Sequence, residues 1–403
     1  MKRIVFVIGN YKNGGVAMRS TNLANEFAGK GYAVTILATK DIAHNIFFKL
    51  EKNVELVSLC RFIEDNKSNS ALLAEVGKQE NKIRTIKRLR YLARFAPKWD
   101  KKLEREIRGI RKSSLLRQYM VLNQETVVIP FGAAYYEQVY YAVRGLNCKV
   151  IYAERNAPEL EVSPDPETAA EFFRILGKAD GAVFQTLDEK AYYEPYIRKN
   201  TAVIHNPIKK GLPLPFTGER RKVIVNYCRI SQQKNLYLLI EAFADLHKEF
   251  PGYSLEIYGN TVEEIEEKLR DELVQYVMDQ RLEDSVHILP PSADVHDRVK
   301  DCAMFVSSSD FEGLSNSMIE AMAIGLPCVC TDCLGGGARE MIEDGINGIL
   351  VPVKDRDALC QGMKRVIADP LLAEKLGRNA AEIVKEMSVE IIAEKWLEVI
   401  RNA

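Results

Sequence analysis

Three stretches of this sequence carry side chains whose types and spacing suit a phosphorylated ligand. In "CRISQQKN", Arg229 and Lys234 stand five residues apart after an apolar run. A guanidinium grips a diphosphate as a fork and an ammonium meets it as a point charge, so two such cations can serve one diphosphate. Two solvated surface cations are the plainer reading. In "FEGLSNSMIEAMAIGLPCV", Glu312 precedes a run of small polar residues and Glu320 falls near the start of a helical pattern. Small residues at a helix start let backbone amides approach an anion. Ser317-x-x-Glu320 also satisfies the capping-box pattern, in which Glu320 bonds back to the Ser317 backbone. Its carboxylate can equally accept hydrogen bonds from two vicinal hydroxyls, and the local rules leave both readings open. Third, Gly14-Gly15 follow the first apolar run and open a helix, the position where doubly wound sheets bind ligands. The pattern is not G-x-G-x-x-G, so it lends little to a nicotinamide or flavin dinucleotide, and a tight turn explains it as well.

The elements that must position these groups alternate from the first residue. "RIVFVIG" is a continuous apolar run, the mark of a strand buried on both faces of a parallel sheet. A helical pattern over 13–32 and a second strand, "AVTILAT", complete a βαβ unit. Strands are expected at "VELVSL", "TVVIPFG", "KVIYAE", "GAVFQT" and "TAVIHNP". After the Pro/Gly-rich stretch 206–222 the alternation restarts with "VIVNYCRI" and continues through "YSLEIYGN", "SVHILP", "AMFVSSS", "PCVCTD" and "GILVPV". Two α/β domains follow, 1–206 and 207–387, with a last helix over 388–403 that can pack back on the first.

Composition narrows the function classes. A chain of 403 residues is too long for one ordinary core. Its 56 basic and 56 acidic side chains cancel, which gives no reason to expect a nucleic-acid partner. Eight cysteines are too sparse for a disulfide scaffold. The C-x-C-x-x-C spacing of Cys328, Cys330 and Cys333 suits a metal in principle, but two of them lie in an apolar strand-like run and read as buried, reduced thiols. "MKRIVFVIGN" is too short in its apolar part for a signal peptide and reads as a strand. No apolar run approaches the ~20 residues of a spanning helix.

The neutral total hides one imbalance. Residues 78–117 hold fifteen Lys/Arg against Glu80, Asp100, Glu104 and Glu106, about +11. Ile83, Ile86, Leu89 and Leu92 recur at helical spacing, which predicts an amphipathic helix or helix pair broken at Pro97. A cationic amphipathic face of this kind suits anionic lipid headgroups, ahead of a polyanionic partner or a bland solvated surface.

Taken in order, R-x4-K, E-G-x-S-N-x-x-x-E-A-M-A-x-G-x-P, "TDC" with a Gly-rich turn, and A-R-E-M-I-x-D-G-x-N-G-x-L-V resemble the C-terminal domain of the GT4 retaining glycosyltransferases. The resemblance is dense over 223–355 and is joined by Gly14-Gly15, "ERNAPE", "ADGAVFQT" and "VIHNPI". It implies the GT-B fold, two Rossmann-like domains facing an interdomain cleft, with an N-terminal acceptor domain and a C-terminal nucleotide-sugar domain. It implies no metal and no cofactor beyond the donor, most simply a UDP-sugar carrying a hexose or N-acetylhexosamine. Arg229 and Lys234 would bind the diphosphate, Glu320 the ribose hydroxyls, and Glu312 would lie by the reacting face of the sugar. The Ser315, Asn316 and Ser317 backbone would add amides to the phosphates, Leu289 would meet the base, and Gly14 and Gly15 would approach the diphosphate. Many relatives carry a histidine near the sugar. Here "AERNAPE" stands at that place, so Glu154, Arg155 and Asn156 become the candidates for sugar or acceptor contacts.

The reading that results is a retaining, metal-independent glycosyltransferase, cytoplasmic and peripheral at the inner face of the membrane. Its expected acceptor is a polyprenyl-diphosphate-linked saccharide in bacterial surface-glycan synthesis, with no nucleic acid involved. The alternatives are the same chemistry on a soluble acceptor, or a non-catalytic partner subunit that keeps the fold.

Overall fold

The computed structural model describes residues 3–12, 14–40, 42, 48–93, 96–124, 126–261 and 264–403. The chain divides into two compact units: Met1–Phe184 with Lys190–Ala202 and Ala393–Ala403, and Gln185–Glu189 with Val203–Ile392. The main division falls just ahead of the Pro/Gly-rich stretch. Most of the final helix, Val389–Asn402, belongs to the first unit, where Asn200 Nδ2 donates to Val399 O at 2.9 Å and Lys30 pairs with Glu394 at 2.7 Å.

The first unit is built on strands β1 (Arg3–Ile8), β2 (Ala33–Ala38), β3 (Val54–Ser58), β4 (Thr126–Pro130), β5 (Cys148–Ala153), β6 (Gly181–Phe184) and β7 (Thr201–Val203). They lie in the order 3-2-1-4-5-6-7, parallel from β3 to β6. The apolar runs form strands because both faces of the sheet are covered: every residue of β4 and all of β1 after Arg3 is buried. Helix Gly15–Gly29 covers one side, and Phe6 stacks between Phe27 and Phe131 with ring centroids 6.0 and 5.6 Å away.

The basic segment is inserted between β3 and β4. It forms helices Ser70–Ala93 and Pro97–Lys112, the second with Pro97 in its first turn, where proline lacks nothing a helix needs. Arg94 lies outside the described residues. The two helices share a seam of Ile83, Ile86, Leu103, Ile107 and Ile110. Arg90 bridges to Asp100 at 2.7 Å and Glu104 at 3.3 Å, and Lys82 to Glu106 at 3.2 Å. The expected helix pair is therefore an antiparallel hairpin in which part of the positive charge holds the two arms together. Among the described residues no helix is long and apolar enough to cross a membrane.

The second unit has strands β8 (Arg221–Arg229), β9 (Ser254–Asn260), β10 (Val286–Leu289), β11 (Cys302–Ser307), β12 (Cys328–Thr331) and β13 (Ile349–Val351), all parallel, in the order 10-9-8-11-12-13. The core between sheet and helices includes Ile224, Leu239, Phe243, Ile257, Met304 and Val329. In each sheet the strand order reverses once, between β1 and β4 and between β8 and β11. Ligands of doubly wound sheets bind outside the carboxyl ends of the strands at that reversal, and the loops after β8 and β11 are where Lys234 and Glu312 stand.

Candidate active site

The loop after β8 tightens into a 3-10 turn, Gln232–Lys234, and ends at Asn235 in the left-handed region at φ 44°. Asparagine tolerates that conformation better than most residues. Its side chain then caps helix Leu236–Glu249 by accepting from Leu238 N. The loop after β11 is fastened to this one. Asp310 N donates to Gln233 O at 2.9 Å, Gln233 Nε2 to Phe311 O at 2.8 Å, Ser308 Oγ to Lys234 O at 2.9 Å and Asn235 Nδ2 to Asp310 Oδ1 at 2.9 Å.

This lacing brings the Lys234 ammonium onto the Glu312 carboxylate, both side chains about 15% exposed. Ser309 Oγ donates to the same carboxylate oxygen at 3.3 Å. Burial is the largest single influence and works against the ammonium, but the Glu312 charge and hydrogen bond, with Cys228, together outweigh it and hold Lys234 above its ordinary value. Lys234 is therefore a fixed cation at the sheet's reversal point.

Glu312 is fixed from behind by the Gly-rich turn. Its N–H donates to Leu334 O at 2.9 Å, and Thr331 Oγ1 donates to Ser309 O at 2.6 Å. Gly335 sits at φ +92°, and a Cβ there would lie 1.9 Å from Glu312 O. A Cβ at Gly337 would lie 1.9 Å from Gly313 O. Backbone cannot yield at such distances, so these two glycines are required by close approach. Ala338 is buried in the short helix Gly337–Met341 without disturbing the turn.

Glu320 resolves the capping question. Helix Asn316–Ala323 starts after Ser315, which makes no side-chain cap, so Ser317 already lies inside the helix and the Ser317–Glu320 box is not formed. The Glu320 carboxylate instead accepts from His296 Nε2 at 2.9 Å, both side chains 9% exposed. The His296 ring stands edge-on to Tyr227 with centroids 5.5 Å apart. Ser315 and Ser317 hydroxyls lie 3.2 Å apart, and Asn316 Oδ1 accepts from Asn206 Nδ2 at 3.0 Å. Asn206 also donates to Leu314 O at 3.0 Å, so "VIHNPI" braces the helix start. Sequence reasoning missed His296 and the bracing role of Asn206. The available signal for His296 was that a carboxylate on a helix rich in apolar residues needs a buried partner.

Arg229 ends β8 as expected, but its half-exposed guanidinium pairs with Glu266 of helix Glu264–Asp279 at 3.3 Å. Its charge is felt at Lys234, where it slightly opposes the ammonium. Leu289 ends β10, the edge strand on the β8 side of the sheet.

In the first unit, Gly14 is the extended residue before helix Gly15–Gly29, with no side-chain cap and no atom within 4 Å of where a Cβ would stand. Glu154 departs from expectation. It is 1% exposed, and its carboxylate accepts from Tyr152 OH at 2.6 Å, Tyr193 OH at 2.5 Å and Arg155 N at 2.7 Å. Burial pushes its pKa upward, the nearby Glu161 adds to this, and the tyrosine hydroxyls pull the other way. An enclosed carboxylate of this kind shapes its loop, and its acceptor positions are engaged by two tyrosine hydroxyls and a backbone amide. Arg155 lies with its guanidinium 5.8 Å from the Tyr135 ring centre, and Asn156 is half-buried. These two remain the available side chains of "ERNAPE".

Cys328 and Cys330 lie in β12 and Cys333 just beyond it, all buried. Burial raises the Cys333 thiol to about 12. No group of three or more metal-ligating side chains gathers among the described residues.

Residues 215–383 match the family described as "Glycosyl transferases group 1". A Campylobacter jejuni protein named N-acetylgalactosamine-N,N'-diacetylbacillosaminyl-diphospho-undecaprenol 4-alpha-N-acetylgalactosaminyltransferase is 34% identical over 161 residues, 40% of this chain and 41% of its own length. A second, GalNAc-alpha-(1->4)-GalNAc-alpha-(1->3)-diNAcBac-PP-undecaprenol alpha-1,4-N-acetyl-D-galactosaminyltransferase of the same organism, is 24% identical across 99% of this chain and 98% of its own. The crystal structure of Anabaena HepE in complex with UDP and glucose superposes with a TM-score of 0.73 at 18% identity, covering both chains completely. With two doubly wound parallel sheets, and a group 1 glycosyl transferase match over the second of them, the chain has the GT-B fold and carries in residues 215–383 the sequence of the group 1 glycosyl transferases, in line with its resemblance to the GT4 type.

Proposed function

We propose that this glycosyltransferase moves a sugar, with retention and without a metal ion, from a UDP-sugar to a hydroxyl of a polyprenyl-diphosphate-linked saccharide. The work would take place at the cytoplasmic membrane face in bacterial surface-glycan synthesis. The observation that carries the reading is the largely enclosed Lys234–Glu312 pair at the β8/β11 reversal, with Arg229 at the end of β8. Lys234 keeps free N–H donors beyond the one engaged by Glu312, since an ammonium has three. Those donors and the Arg229 fork would meet the diphosphate, Glu320 the ribose hydroxyls, the Ser315, Asn316 and Ser317 amides a phosphate oxygen, and the Leu289 main chain the base. Arg155 and Asn156 of the first unit would serve the acceptor.

In the reaction the bond from sugar C1 to the β-phosphate oxygen breaks, and its electron pair leaves with the nucleoside diphosphate. The acceptor oxygen bonds to C1 on the same face, and its proton passes to the departing phosphate oxygen. Negative charge gathers on the leaving group in the transition state, where prepositioned cations act most strongly. Glu312 would face the positive charge developing on the sugar. The relatives named for undecaprenol-diphosphate saccharides support the acceptor class, and the UDP complex of HepE supports the nucleotide.

The test is a donor screen read by nucleoside diphosphate release, run with and without bacterial lipid extract and with a chelator. The anomeric configuration of the product is read by NMR. Full transfer by both Lys234→Ala and Glu312→Ala would sink the site assignment, and an inverted product would sink retention.

A further inference from the structure

The basic hairpin spends part of its charge on its own acids, and Arg108, Arg111 and Lys112 near its base are exposed with no ion pair among the described residues. Lys82 and Arg90 are held by acids on the opposite arm, and Arg117 beyond it by Glu75. Near the end where the arms meet, Lys87, Arg88, Lys98 and Lys102 are exposed and have no ion pair among the described residues. The apolar side chains divide more sharply than the charges. The inward seam takes Ile83, Ile86, Leu103, Ile107 and Ile110, which leaves no apolar stripe along the hairpin for a bilayer to cover. Outside that seam Leu73 stands alone at the base, 58% exposed, while four large apolar or aromatic side chains gather close to the meeting end: Leu89 at 47%, Tyr91 at 67%, Leu92 at 73% and Trp99 at 62% exposure. The Lys102 ammonium lies 5.3 Å from the Trp99 ring centre.

Single exposed apolar residues are ordinary, but a cluster ringed by unpaired cations is not. Tryptophan and tyrosine favour the boundary between lipid headgroups and acyl chains, and lysine and arginine reach from there to anionic headgroups. A helix lying flat on a bilayer needs its apolar face along its whole length. This hairpin has that face closed against itself. We propose that the hairpin binds an anionic membrane end-on, inserting Leu89, Tyr91, Leu92 and Trp99 at the headgroup boundary while Lys87, Arg88, Lys98 and Lys102 hold anionic headgroups. This deepens the reading above, resting on its membrane-linked acceptor, and changes the mode of binding from adsorption of a charged face to insertion of a tip.

The experiment uses the full chain, which has two tryptophans, Trp99 at the tip and Trp396 buried in the final helix. Vesicles of phosphatidylglycerol and phosphatidylcholine carry bromine on the acyl chains near the headgroups. The expected result is quenching and a blue shift of the exposed tryptophan, lost in Trp99→Phe, while flotation of that variant persists. Leu92→Asp with Trp99→Asp should weaken flotation at least tenfold, and Lys98→Glu with Lys102→Glu by a similar factor. All four changes sit on exposed positions, and a far-UV spectrum checks the fold. Flotation without quenching, or binding abolished by salt alone, would overturn insertion in favour of surface adsorption. Self-association lost in the tip variants with no flotation would assign the patch to a second copy of the chain. Diphosphate release with a water-soluble acceptor, measured in parallel, separates failure of this proposal from failure of the transferase reading.

Discussion

The Lys234 ammonium and the Glu312 carboxylate form a largely enclosed ion pair although 78 residues separate them in sequence. The pair exists because the strands that precede these loops, β8 and β11, are neighbours across the reversal of the second sheet. Removing one partner leaves the other charge in a poorly hydrated place. Glu312→Ala and Lys234→Ala are each expected to cost on the order of 3 kcal/mol of stability. The double variant should cost less than the two added together, which denaturant melts in a double-mutant cycle will show. Transfer should fall by at least about a hundredfold in all three.

The same pair sets a pH limit. The folded-state pKa of Lys234 lies above its ordinary 10.5, so its contribution is complete below 10.5 and is lost as pH rises through the higher folded value. The stability gap between wild type and Lys234→Met should stay level from pH 7 to about 10 and close above that. A gap that closes near neutrality would mean the ammonium is not held charged by Glu312.

His296 is expected to act through Glu320. In His296→Ala the carboxylate loses its side-chain hydrogen-bond partner and its orientation. We expect KM for the donor to rise about tenfold with kcat changed far less, the pattern of lost ground-state binding. His296→Gln, which keeps a side-chain N–H donor, should recover part of it. If Glu320 holds the ribose, the wild type should also prefer the ribonucleotide over its 2'-deoxy analogue, and His296→Ala should narrow that preference. Equal loss in kcat and KM with both analogues would point to a merely structural histidine.

Gly335→Ala tests the close approach behind Glu312. The substitution adds a left-handed penalty of about 1 kcal/mol and a collision with the Glu312 carbonyl. The expected outcome is a lower Tm together with reduced turnover, because relieving the collision moves Glu312. Gly14→Ala, where the space is open and φ is extended, should leave Tm within a degree or two.

Glu154 makes the opposite pH prediction. Its folded-state pKa is raised, chiefly by burial, so the native state binds a proton the unfolded chain has already released. Stability should fall as pH rises from the ordinary glutamate value of 4.5 through the raised one. Glu154→Gln keeps most of the accepting geometry without the charge. Its Tm relative to wild type should be highest at neutral pH and drop as pH approaches 4.5.

The strands were readable because a parallel sheet covered on both faces demands uninterrupted apolar runs, and "RIVFVIG" and "TVVIPFG" supply them. Arg229, Lys234, Glu312 and Glu320 were readable as a set because the ordered motif fixes their types. Their partners were not. The pairing of Glu320 with His296, 24 residues upstream, depends on where the short helix Val295–Val299 packs. Arg229 ends β8 and Lys234 stands in the loop that follows, and spacing alone gave no sign that Glu266 would draw the first of them away. "AERNAPE" reads as an exposed polar run, yet Tyr152 and Tyr193 close over Glu154 from two other elements. The hairpin's charge was countable in sequence, but not how much of it is neutralised between the arms.

The insertion of that hairpin between β3 and β4 has a consequence for how such a protein can change. Its base is fixed, for Gly109 lies so close to the Tyr141 ring that a Cβ would come within 2.4 Å. Toward the far end Leu89, Tyr91, Leu92 and Trp99 face solvent. Turns can therefore be added, deleted or recoloured there without re-registering a sheet or disturbing Lys234 and Glu312. On the membrane reading proposed above, the protein's address and its chemistry are encoded in separable parts of one chain, so a lineage can move to a new surface and keep its reaction.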